Sequence, residues 1–101
     1  MKSFKEFLTE SSKRKGMEEA KSIVKRVFGS NANKIEIYPD ITMDEFAVRA
    51  EDPEEYNPPE AEMRKLADQL RRGLSGNPTV TVMGGIRFNN QINSTTILVE
   101  Y

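Results

Sequence analysis

The chain has 101 residues, 37% hydrophobic and 31% charged, with a net charge of −1. That length allows one domain with a modest core and no deep cleft. The near-neutral balance gives no bulk attraction to nucleic acid. Cysteine, histidine and tryptophan are absent, which excludes disulfides, thiolate nucleophiles, imidazole bases and the usual zinc ligands.

Residues 1–10, MKSFKEFLTE, place Phe4, Phe7 and Leu8 at i, i+3 and i+4. These share one face of a helix that is too short to persist alone. Residues 11–16, SSKRKG, have the composition of a flexible linker. The folded domain is therefore expected to span residues 17–101. Within it, Met17, Ala20, Ile23, Val24, Val27 and Phe28 recur at helical spacing, and Gly29 ends the pattern before a loop at Ser30 to Asn33.

Lys34 to Tyr38 alternates as a half-buried strand does, with Ile35 and Ile37 on one side. Residues 43–51 fit two patterns. Met43, Phe46, Ala47 and Ala50 match a helix, and Thr42 with Glu45 has capping-box spacing. Phe46, Val48 and Ala50 match a strand, which is favoured because Pro39-Asp40 makes a short connection back to the first strand. An acidic, proline-rich loop from Glu51 to Pro59 leads to a second helix. Its stripe is Met63, Leu66, Ala67, Leu70 and Leu74, and LSGNP ends it.

Thr79 to Met83 is a β-branched strand. Gly84-Gly85 has the chemistry of a two-residue hairpin turn, with Ile86 to Asn89 as the return. Asn89 to Ser94 is turn-rich, and Thr95 to Tyr101 is a last strand. The order αββαβββ predicts an α+β fold, with two helices packed on one face of a small antiparallel or mixed sheet. Each half repeats a helix, a turn bearing Ser, Gly and Asn, and a strand. The ordinary economy of helix-to-strand connections accounts for that echo.

Charge is unevenly spread. Residues 1–26 hold eight lysines and arginines against four glutamates, and residues 40–60 hold eight carboxylates against Arg49. No apolar run approaches the length of a membrane span, and the start lacks the apolar core of a secretory signal. The expected location is inside the producing cell, with no membrane partner.

Candidate sites are few. The carboxylates Glu51, Asp52, Glu54 and Glu55 lack the spacing of a calcium loop. They read as a solvated loop, or as an acidic patch that docks a basic partner. Lys13, Arg14 and Lys15 would give at most weak, salt-sensitive phosphate contacts. Arg71 and Arg72 suit the negative end of the second helix. Gly84-Gly85 is not followed by a helix, as a phosphate-binding loop requires. Tyr38, Tyr56 and Tyr101 lie in unrelated segments and make no aromatic platform. No carboxylate pair has a reason to act as acid and base. The residues thus predict no catalytic site, no metal site and no cofactor.

Met1, Lys2, Phe4, Glu6, Phe7, Leu8 and Glu10 resemble the capsid-targeting peptide that begins the internal head proteins of T4-like bacteriophages. The resemblance covers a tenth of the chain. It implies delivery into the prohead core, with Phe4, Phe7 and Leu8 as the docking face. It also implies cleavage by the prohead protease after Glu10, within Leu8-Thr9-Glu10. Leu98-Val99-Glu100 matches the same short pattern, but inside an expected strand where a protease gains little access.

The lack of catalytic candidates predicts a non-enzymatic protein, and the resemblance implies a location in the virion head and then in the host cytoplasm, with a host protein as the prospective target. Two other readings stand beside it. One is a structural virion or prohead-core component whose N-terminal helix is a permanent assembly contact. The other is a cytoplasmic binding module that uses the acidic loop.

Overall fold

A computed structural model describes the backbone of residues 4–88 and 92–101, and the side chains of residues 12–84 and 93–101. The elements are α1 (Phe4–Phe28), a 3-10 helix (Gly29–Lys34), β1 (Ile35–Pro39), β2 (Glu45–Ala50), α2 (Glu60–Gly73), β3 (Thr79–Phe88) and β4 (Ile92–Glu100). The fold is α+β, as its sequence predicts. The four strands form one sheet in the order β1-β2-β4-β3, with every neighbouring pair antiparallel.

The ambiguous stretch at residues 43–51 forms the strand β2 over Glu45–Ala50. Phe46, Val48 and Ala50 are buried while Arg49 is exposed, the period of two that a half-covered sheet requires. The connection back to β1 is an Asx turn. Asp40 Oδ1 accepts hydrogen bonds from the Thr42 amide at 2.8 Å, the Thr42 hydroxyl at 2.8 Å and the Met43 amide at 3.2 Å. Thr42 therefore serves the turn and caps no helix.

The first correction concerns Gly84-Gly85. They make no hairpin turn, and β3 runs through them. Met83 pairs with Thr96 and Ile86 with Ser94, so the two glycines oppose Thr95 alone. This is a β-bulge, which inserts one residue and bends the strand. Gly84 lies outside the left-handed region that a tight hairpin turn demands, and the Glu60 carboxylate occupies the space its Cβ would fill. The glycine is there for close approach. The chain reverses between Phe88 and Ile92, which pair with each other. The predicted turn at Asn89 to Ser94 thus lies partly at residues 89–91, outside the described residues. The order is αββαββ, one strand fewer than predicted.

The second correction concerns residues 11–16. They are helical, part of the 25 residues of α1. Lysine and arginine are good helix formers, and one glycine costs about 1 kcal/mol, too little to break a helix anchored elsewhere. The anchors are specific. The Lys13 ammonium donates to the carbonyls of Asp40 and Met43, the latter at 3.0 Å. Gly16 is buried against the ring of Tyr101. The structured body begins earlier than Met17.

The helices cover one face of the sheet. Ala20, Ile23 and Val24 of α1 meet Met63, Leu66, Ala67 and Leu70 of α2 over Ile35, Phe46, Val48, Val80, Ile97 and Val99. Each fully buried Leu, Ile or Phe contributes roughly 1.5–3 kcal/mol. The α2 termini suit the helix dipole, with Glu60 and Glu62 in the first turn and Arg71 and Arg72 in the last. The sheet order reads the same from either edge if β1 is exchanged for β3 and β2 for β4. The echo seen in the sequence extends to two whole αββ units, with β2 and β4 meeting at the centre.

Candidate functional site

The N-terminal segment is placed by α1. The backbone from Phe4 onward is helical. The side chains of Phe4, Phe7, Leu8, Thr9 and Glu10, and all of Met1 and Lys2, lie outside the described residues. Among the described side chains, Lys13, Gly16, Glu19 and Ala20 join α1 to the rest of the molecule.

Glu19 is a tether that the sequence did not disclose. Its carboxylate accepts from the Ser75 amide at 3.1 Å and the Ser75 hydroxyl at 2.7 Å, joining α1 to the turn after α2. Partial burial pushes its pKa up, but the two Ser75 hydrogen bonds and nearby Lys15 outweigh this and hold it below the ordinary 4.5. Tyr101 shows the opposite. Burial, with Glu19 nearby, raises its phenol above the ordinary 10.0, and its hydroxyl is buried without a hydrogen-bond partner among the described residues.

The acidic loop is anchored from below. Pro53 and Pro58 are buried, and Tyr56 packs edge-on against Phe28 at 6.4 Å between ring centroids. Asp52 is engaged inside the loop, accepting the Glu54 amide at 3.0 Å on its carboxylate. Glu55 lies 3.9 Å from the Lys34 ammonium. Glu51 and Glu54 are exposed. Among the described residues no group of carboxylates is arranged to hold a metal ion.

Two further surfaces have no counterpart in the sequence reading. The sheet face opposite the helices is open. Tyr38, Ala47, Leu98 and Thr81 form one cross-strand row on it, with Arg49 over the Tyr38 ring at 5.2 Å and 3.6 Å from Glu36. A cavity of about 390 Å³ opens here between Tyr38, Ile41, Ala47 and Leu98, and Ile41 at the hairpin tip is 95% exposed. The second surface is a groove of about 350 Å³ between α1 and the outer edge of β1, lined by Val24, Ala32, Ile35 and Ile37 and rimmed by Lys21 and Lys25. Strand order decides which strands lie at the edges, and pairing order is not written in local periodicity.

No helix among the described residues is long and apolar enough to cross a membrane. Compared with protein-family models, with curated proteins and with solved structures, the chain matches none. The functional reading rests on these surfaces and on the N-terminal resemblance.

Proposed function

We propose that this is a non-enzymatic phage protein, packaged in the virion head through a cleavable N-terminal targeting peptide and delivered to the host with the DNA. The resemblance of residues 1–10 supplies the destination. The carrying observation is that a cut after Glu10 keeps the anchors at Lys13, Gly16 and Glu19 within the mature chain. The helical backbone at Glu10 must open for a protease to bind it, and helix ends open at low cost. The chain has neither histidine nor cysteine, and in this reading the mature protein works by binding a host protein.

Intact-mass spectrometry of the protein recovered from purified phage particles tests this. The expected mass is that of Ser11–Tyr101. Absence from particles overturns the packaging reading. The unbroken course of α1 from Phe4 to Phe28 favours a second reading, a structural component whose N-terminal helix stays as an assembly contact. A full-length mass in particles would identify that case.

A further inference from the structure

The two edges of the sheet are not equivalent. On the β3 edge, Arg71 of α2 donates to the Val80 carbonyl at 2.9 Å, closing off an outward-facing acceptor. The glycine bulge bends the same strand further along. On the β1 edge there is no such cover among the described residues.

Hydrogen bonds fix which groups of β1 face outward. Asp40 donates to the Glu45 carbonyl at 3.1 Å, and Lys34 accepts from Glu51 at 2.9 Å. Lys34, Glu36, Tyr38 and Asp40 therefore bond toward β2, and Ile35, Ile37 and Pro39 present their backbone groups to the outside. The Ile35 amide turns back to the Ala32 carbonyl. Left at the edge are the Ile37 amide and the carbonyls of Ile35, Ile37 and Pro39, all beside the groove under α1.

We infer that this edge docks an extended, acidic segment of a partner protein as an added strand. A residue opposite Ile37 exchanges two hydrogen bonds with it. Residues two places either side donate to the Ile35 and Pro39 carbonyls. Directly paired residues share a face, so these three side chains point to the helix side, into the groove. The central one meets Val24 and Ile37 and is apolar. The flanking ones reach the rim, where exposed Lys21 and Lys25 favour carboxylates. Charge also decides against a second copy: pairing two β1 edges would bring the Lys21 and Lys25 rims of both chains together. Proline at the end of β1 lacks an amide and limits the added strand to this short frame. The inference is independent of how the protein is delivered.

The test uses the full chain and a synthetic library of nine-residue peptides with an apolar centre and Asp or Glu two residues to either side. A control library carries Lys at those flanking positions. The acidic library is expected to be retained preferentially, and its best binder to slow hydrogen exchange at the Ile37 amide. Lys21→Glu with Lys25→Glu, both at exposed positions, should weaken that binder about tenfold or more while circular dichroism stays unchanged. Equal retention of the two libraries, or no retention of either, overturns the inference. So does binding that survives the double charge reversal, or a concentration-dependent dimer that protects Ile37 without peptide.

Discussion

In the second αββ unit, the 14 residues of α2 bury Met63, Leu66, Ala67 and Leu70. In the first, the 25 residues of α1 bury Gly16, Ala20, Ile23 and Val24 among the described side chains. The second unit ends at an edge closed by Arg71. The first ends at an open edge, with Ile41 and Met43 exposed at its hairpin tip, 95% and 57% respectively. Units with the same order of elements thus divide the work. The second supplies the denser part of the core, and the first leaves more apolar side chains exposed and extends toward the N-terminus. A near-symmetric scaffold permits this because the sheet needs one apolar face from each unit and leaves the rest of each unit unconstrained.

The largest effect that sharpens this contrast comes from the core of α2. Leu70→Ala removes a side chain with no exposure from between the sheet and α1. It should destabilise the protein by about 2–5 kcal/mol, as buried Leu-to-Ala changes do. Ile41→Ala, at the tip of the first unit, should change stability by less than about 0.5 kcal/mol. Urea denaturation of both variants checks the pair. Similar losses would mean that the hairpin tip is packed in solution and that the two units share the core more evenly.

Gly16→Ala probes the join between the units with a smaller effect. In a helix, alanine is favoured over glycine by about 0.5–1 kcal/mol. Here the new Cβ would meet the ring of Tyr101, which in turn packs against Phe46 at 6.3 Å between centroids. Displacing a packed ring costs about 1–3 kcal/mol, so the strain wins and a net loss of about 1 kcal/mol is expected. In a Tyr101→Ala background the ring is gone and the same substitution should stabilise by about 0.5–1 kcal/mol. The sign reversal, read from denaturation midpoints, is the diagnostic. A loss in both backgrounds would place the strain elsewhere.

The same residue shows how far the sequence can be read. The α+β class, both core helices and the strand at residues 45–50 follow from local period, because one face of each element meets the core. Gly16 read as a linker since composition cannot reveal that Tyr101, far along the chain, packs on it. Gly84 read as a turn for the same reason, its neighbour Glu60 being set by tertiary placement. The open β1 edge, the groove beside it and the Glu19–Ser75 tether all depend on strand order and helix placement. Those are global properties that no window of residues contains.

The smallest predicted effect concerns that tether. Glu19 has its folded pKa held below the ordinary 4.5, so its contribution is fully present above about that pH. It is lost as pH falls through the lower, folded value. Ser75→Ala removes the hydroxyl donor while leaving the backbone amide bond. It should lower stability at pH 7 by about 1 kcal/mol or less. Toward pH 3 the gap between variant and parent should shrink, because protonation weakens in the parent the bond that the variant has already lost. Thermal unfolding of both proteins from pH 7 to pH 3 measures it. A gap that stays constant with pH would mean that the serine acts through the turn it occupies, and that α1 is held to the second unit by apolar packing without help from Glu19.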